Sequence, residues 1–299
     1  MTLAVGAGPA EVARMQSAVL GWFAANARAL AFRRTSDPWS VLVSEVIAQQ
    51  TQASRAAEAW TRFIALFPTP EALAAASPAT VIRAWRGLGY NRRAIALRAA
   101  AIAIVDEHGG RVPDSFDALV RLPGIGPYTA RAVLAIAFNQ PVAALDTNIR
   151  RVVGRAFLGD SAPAPRAFQA LADGFVPDGD AAAWTHALMD VGAAFCRKRD
   201  PRCDACPLAR HCRYLAAGRP PAAGPDRVAG KPFRATTRWL RGRILDHLRD
   251  ANDGAWVAFD QPIGQHGIDE VLQQVLRLGS EGIIELDPSG EARARLASG

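Results

Sequence analysis

Leu122-Pro123-Gly124-Ile125-Gly126-Pro127-Tyr128-Thr129-Ala130 opens the stretch that decides the fold, and Leu145-Asp146-Thr147-Asn148-Ile149-Arg150-Arg151 closes it. Pro123, Gly124 and Gly126 resist helix, so the chain turns there. Proline is tolerated in the first turn of a helix, and the spacing predicts a tight hairpin that delivers the chain into a helix starting near Pro127. Successive N–H groups at such a turn, followed by a helix N-terminus, form a concave site for a phosphate oxygen. Beyond an apolar run at 133–138 and a break at Gln140-Pro141, Asp146 falls at the start of the next helix. One unit thus offers a phosphate grip at Gly124 and Gly126 and a carboxylate at a helix start. By itself Pro-Gly-x-Gly is a plain helix–helix connection. Tyr128, Asp146 and four cysteines downstream give it weight.

Upstream, residues 12–27 carry apolar side chains at helical spacing, and Asp37-Pro38 is a cap followed by proline at a first helical position. The helix that follows, 41–52, holds Glu45 among apolar neighbours. A carboxyl group there is partly desolvated, its pKa rises, and it suits a general acid near neutral pH; a glutamate on an outer stripe is the bland alternative. Gln49-Gln50-Thr51-Gln52 is a dense polar cluster at the end of that helix. Further helices follow over 53–67, 70–76 and from Ser77-Pro78, which ends at Gly87-Leu88-Gly89-Tyr90. Two glycines and an aromatic predict a sharp turn that holds Tyr90 out, or a helix cap with a core tyrosine. The helix from Asn91 ends at Gly109-Gly110, and Asp114 or Ser115 caps one at 116–121 that feeds the hairpin.

Downstream of Asp146 a helix is predicted to Leu158, then loops at 159–165 and 177–180, then a helix over 181–194. Cys196, Cys203, Cys206 and Cys212, all the cysteines of the chain, are spaced C-x6-C-x2-C-x5-C. Four thiols so close together read as a metal site rather than disulfides; spacing physics admits zinc or an iron–sulfur cluster. Arg197, Lys198 and Arg199 lie in the first interval, where they suit DNA phosphates or compensate the charge of the metal site. Residues 216–225 read as a linker. A small module follows, with helices at 238–249 and 268–278, a strand near 282–286 and a Pro-Ser-Gly turn.

The 299 residues carry a net charge of +7, nearly all from arginine, which favours an acidic partner. No apolar run is long enough for a membrane span, and the first ten residues do not resemble a secretory signal, so a soluble, cytoplasmic protein is expected.

Residues 122–151, with the cysteine spacing, resemble the helix–hairpin–helix, catalytic aspartate and [4Fe-4S] signature of the endonuclease III superfamily of DNA glycosylases. Ser44-Glu45-Val46, Gln49-Gln50-Thr51-Gln52, Gly87-Leu88-Gly89-Tyr90 and Leu145-Asp146-x-Asn148 look most like its MutY family, the adenine DNA glycosylases. The resemblance covers residues 12–215 and implies a mainly α fold. A six-helix domain with the helix–hairpin–helix would span 37–140, and 9–36 plus 141–215 would form the iron–sulfur cluster domain. A linker at 216–235 and a small winged-helix-like C-terminal module at 236–299 complete the expected layout.

The resemblance also implies the chemistry. A monofunctional enzyme would flip adenine, mispaired with 8-oxoguanine or guanine, out of double-stranded DNA and hydrolyse its N-glycosidic bond as a monomer. Glu45 would be the acid and Asp146 the carboxylate that stabilises the sugar cation, with Tyr128 and Asn148 bonding near them. Gln50, Thr51 and Tyr90 would enter the opened duplex, Gly124 and Gly126 would hold a phosphate, Arg197, Lys198 and Arg199 would meet DNA, and the four cysteines would bind a [4Fe-4S] cluster. Tyr128 stands where strand-cleaving relatives carry lysine, so the amine of a Schiff base is missing. The chain departs from the family at Leu30-Ala31-Phe32-Arg33, where Leu-Pro-Trp-Arg is usual, at Thr147, at Asn91, and in a tail unlike the larger Nudix-like domain of many members. A sister enzyme removing thymine from T·G pairs, and a non-catalytic iron–sulfur DNA-binding protein, are the alternative readings.

Overall fold

A computed structural model describes residues 8–159, 163–218, 230 and 232–298. Most of the expected linker at 216–225 and part of the loop at 159–165 lie outside the described residues. In chain order the helices are α1 (Pro9–Asn26), α2 (Pro38–Ala48), α3 (Ala53–Leu66), α4 (Pro70–Ala74), α5 (Pro78–Ala84), α6 (Arg92–His108) and α7 (Phe116–Arg121). They continue as α8 (Pro127–Ile136), α9 (Thr147–Val153), α10 (Pro165–Asp173), α11 (Ala181–Ala194), α12 (Arg213–Ala216), α13 (Thr237–Asp250) and α14 (Ile268–Ser280). Strands β1 (Val257–Ala258), β2 (Ile284–Leu286) and β3 (Arg293–Leu296) follow α12. Among the described residues no helix is long and apolar enough to cross a membrane.

The chain divides into two compact units. The first takes in Met1–Glu45, Asp114–Val120 and Gly126–Pro225, so far as these are described. Its centre is α11, which packs on α1, α8 and α9. Met15 and Val19 of α1, Ile149 and Val152 of α9, and Trp184, Leu188 and Val191 of α11 fill the core. α9 continues into a π-helical turn, Gly154–Leu158, which buries Phe157 against Phe175 with ring centroids 4.1 Å apart.

The second unit takes in Val46–Pro113, Arg121–Ile125 and Asp226–Gly299, so far as these are described. Its helices begin where the sequence places caps: Thr69 accepts from the Ala72 N–H and Ser77 from the Thr80 N–H, each before a proline at the first helical position. Gly109, at φ +59°, ends α6 in the left-handed conformation. In the tail, Thr236 caps α13 through the Trp239 N–H. Leu240, Ile244, Leu245 and Leu248 of α13 and Val271, Val275 and Leu278 of α14 are buried. An antiparallel sheet of order β1-β3-β2 pairs Val257 with Ala294 and Ile284 with Leu296. The tail is fastened within its own unit: Ala79 N–H donates to the Ala297 carbonyl at 2.8 Å, and buried Arg249 donates to the Ile82 carbonyl at 3.0 Å.

Candidate active site

Glu45 sits in the middle of α2, flanked by buried Val41, Leu42 and Val43, and is itself only 7% exposed. The Tyr128 hydroxyl, in the first turn of α8, donates to its Oε2 at 3.0 Å. Burial is the main influence and pushes the Glu45 carboxyl up to about 7, with the Asp146 charge acting in the same direction and Tyr128 and Arg33 against it. Near neutral pH the group thus holds a proton in about half of the molecules, which keeps a general acid available. Burial, then the charges of Glu45 and Asp146, hold the Tyr128 phenol well above its ordinary range, so it stays a donor.

Asp146 is the cap of α9, and its carboxylate accepts from the Ile149 N–H at 2.6 Å and from Asn148 Nδ2 at 3.2 Å. Burial raises its pKa, against the pull of the hydrogen bonds from Ile149 and Asn148 and the charge of Arg151. Arg151 fixes the arrangement by donating to Asn148 Oδ1 at 2.7 Å, to the Gly192 carbonyl at 2.9 Å and to the Cys196 carbonyl. α9 and α11 meet closely at Gly192, where an added Cβ would lie 2.6 Å from the Asn148 Cβ.

Sequence reasoning missed a charged cluster in the same unit. Arg33, in the 3-10 turn Ala31–Arg34, grips Asp190 of α11 with two bonds of 2.7 and 2.9 Å, and Arg28 adds a bond of 2.6 Å. Burial raises the Asp190 carboxyl, but the hydrogen bonds from Arg33 and Arg28 outweigh it and keep the group below its ordinary value. Burial first, then the charge of Arg33, lowers His186 on the same helix to about 3 and keeps it neutral. The available signal was a lone carboxylate in the apolar run of α11.

Cys196, Cys203, Cys206 and Cys212 line one cavity with Phe195, Pro201, Tyr214 and Leu215. Among the described residues no three His, Cys, Asp or Glu side chains converge on a position for a single ion. Arg155, also missed, braces this loop from the π-helical turn: it donates to the carbonyls of Arg197 at 2.6 Å and Lys198 at 3.2 Å and lies 4.5 Å over the Tyr214 ring. Arg197, Lys198 and Arg199 are exposed.

The other candidates belong to the second unit, except Gly126, the cap of α8. Gly126 has open space where a Cβ would point, whereas Gly124, at φ +76°, would bring a Cβ within 2.7 Å of the Ala96 Cβ. Gln50 and Tyr90 both have positive φ, 53° and 44°. Non-glycine residues are held so only when the surroundings enforce it, and such strain gathers at functional sites. Arg93 does the enforcing: its guanidinium donates to the carbonyls of Val46 and Gln49, each at 2.7 Å, and of Leu88 and Gly89 at 3.2 and 3.3 Å. Gln49, Gln50, Thr51 and Tyr90 line one cleft.

Residues 43–177 match the model of the HhH-GPD superfamily base excision DNA repair proteins. A solved thermostable thymine-DNA glycosylase matches with a TM-score of 0.65 at 28% identity, covering 70% of this chain and 98% of that one. A DNA-bound endonuclease III shares the fold, with a TM-score of 0.60 at 22% identity over 71% of this chain and 99% of its own. Fold and family model together define a DNA glycosylase of base excision repair. An adenine DNA glycosylase of Mycolicibacterium smegmatis is 44% identical over 236 residues, 78% of this chain and 80% of that protein. At that identity and coverage the chain belongs to the adenine DNA glycosylases.

Proposed function

We propose that the chain releases adenine mispaired with 8-oxoguanine or guanine in double-stranded DNA, leaving an abasic site without cutting the strand. The observation that carries this reading is the carboxyl of Glu45, buried, raised to about 7 and bonded to Tyr128, with the charge of Asp146 bearing on it. Adenine must leave the stack to be reached. Protonated Glu45 donates to adenine N7. The C1′–N9 bond breaks with its electrons going to adenine, and the sugar becomes an oxocarbenium ion. Asp146, ionised and oriented by Ile149 and Asn148, stabilises that cation. Water adds to C1′ and gives its proton to the Glu45 carboxylate, which restores the acid. Tyr128 holds Glu45 and supplies no amine, so no Schiff base forms with the sugar.

On the DNA side, Tyr90, Gln50 and Thr51 enter the opened duplex, Gly124 and Gly126 hold a phosphate, and the Arg197–Lys198–Arg199 loop meets the backbone. The open space at Gly126 and the exposure of that loop support these assignments. Cys196, Cys203, Cys206 and Cys212 would hold a [4Fe-4S] cluster. Four thiols around one apolar cavity supply the ligand set that such a cluster takes. When bound, the cluster braces the basic loop. The tail is a winged-helix-like module, and the protein acts in the cytoplasm as a monomer.

The test is single-turnover base release from duplexes with A opposite 8-oxoguanine, A opposite G, A opposite C and T opposite G, by the native chain and Glu45→Gln. Adenine release opposite 8-oxoguanine, lost in the variant, is the expected result. Thymine release from T·G alone would move the chain to the second reading, which the likeness to the thymine-DNA glycosylase favours.

A further inference from the structure

The turn that carries Tyr90 is held by a helix more than a hundred residues later in the chain. Three consecutive residues of the turn meet α13, all within the second unit. The Arg238 guanidinium lies 4.1 Å over the Tyr90 ring and donates to its hydroxyl at 3.0 Å. It also lies 3.6 Å from where a Cβ on Gly89 would be. Asn91, buried beneath, accepts from Arg249 at 2.8 Å. The Asn91 amide thus serves the tail. Arg249 is 8% exposed while Tyr90 is 41% exposed, so the helix is anchored below and presents Arg238 at the surface.

α13 forms one wall of the cleft of about 910 Å³ that Gln49–Gln52 and the Gly87–Arg93 turn also line. Seven arginines face two carboxylates there. Arg241 is paired with Glu281, and Arg243 with Asp246. Among the described residues Arg238 has no carboxylate partner. A surplus of guanidinium, a partly exposed aromatic ring and a row of side-chain amides match phosphates, a base and base edges in turn. The forked donors of arginine suit the O6 and N7 edge of guanine; 8-oxoguanine carries a hydrogen on N7 and accepts singly, at O6 or O8. On its major-groove edge cytosine presents an amino donor instead, which a guanidinium cannot pair.

We propose that α13 is the second wall of a site for the strand that keeps its base, and that Arg238, seated on Tyr90, determines preference for the base opposite the excised adenine. The proposal rests on the reading above that Tyr90 and Gln50 enter the opened duplex. Arg249, through Asn91, positions the turn from below.

The test uses equilibrium binding of the full chain in a Glu45→Gln background, so that affinity is read without base release. The duplexes place adenine opposite 8-oxoguanine, guanine and cytosine at one salt concentration. Arg238→Ala should cut the Kd ratio between the cytosine and guanine duplexes by about tenfold, the size expected for loss of one bidentate pair. Arg238→Lys should restore much of the overall affinity and its salt dependence but not the ratio, because lysine keeps the charge and loses the planar fork. Arg238 is exposed, so both variants should fold. An unchanged ratio in Arg238→Ala, one common factor lost on all three duplexes, or a parent without preference would each overturn the proposal. Adenine release by the chain with Glu45 intact is assayed alongside on the same duplexes. Its absence with the binding ratio preserved would sink the catalytic reading and leave this one standing.

Discussion

Glu45 is buried and Asp146 half-buried, and the two carboxyl groups have different partners that set different tasks. Among the described residues the Glu45 carboxyl has one hydrogen-bond partner, Tyr128, and it keeps its proton to about pH 7. Asp146 accepts from a helix N-terminus and an amide, contacts that favour the charged form. Single-turnover base release should therefore fall as pH rises through about 7, when Glu45 loses its proton, and fall again in acid as Asp146 gains one. A profile flat above pH 7 would remove Glu45 as the acid. The stability consequence has a definite sign. The folded Glu45 binds its proton more tightly than an unfolded glutamate, so its ionised form is penalised. That penalty is absent below about pH 4.5, grows up to about pH 7 and is constant above. Glu45→Gln should be the more stable protein at pH 8, by on the order of 3 kcal/mol, and the difference should vanish at pH 4 in denaturant titrations. Glu45 was legible because its apolar neighbours are local in sequence. Asp190 was not, because its arginine partners, Arg28 and Arg33, lie about 160 residues away.

Among the elements, the α9–α11 crossing places the catalytic-type cap. Gly192 lets α11 approach α9, and Asn148 fills the space its missing side chain leaves. Gly192→Ala adds a methyl 2.6 Å from the Asn148 Cβ, and neither neighbour is the flexible end of a long side chain. Overpacking of this kind costs about 1–3 kcal/mol. Because Asn148 holds Asp146, the variant should lose base release more steeply than DNA affinity, and a loss of both in proportion would argue against the crossing as the cause. Helix starts were readable from Asp37, Ser77, Ser115 and Pro127, since a cap is a local device. β1 was not: two residues, Val257 and Ala258, are too few to show an alternation. The positive φ of Gln50 and Tyr90 also left no sequence trace, since the force that holds it comes from Arg93.

At the level of the whole molecule, net charge pointed to an acidic partner, while the fastening of the tail could not be foreseen. Arg155 ties the cysteine loop to the turn that follows α9, so the proposed cluster and the basic loop should fail together. Cys206→Ala should lose the iron–sulfur absorbance at about 400 nm and weaken binding to any duplex, with the salt slope reduced by about one for each phosphate that the loop no longer neutralises. Binding that survives loss of the cluster unchanged would separate the two.

The division into two units also bears on how the chain is made. The first unit has all its segments once residue 225 has emerged, and it can close then. The second cannot: Ala79 waits for Ala297, and Asn91 waits for Arg249. During synthesis residues 46–113 therefore stand without their final packing for the time needed to add well over a hundred residues, at roughly 5–20 residues per second. The face of α5 that meets β3 stays uncovered through that interval, and a ribosome that stalls before the tail leaves a molecule with a complete first unit and an incomplete second one.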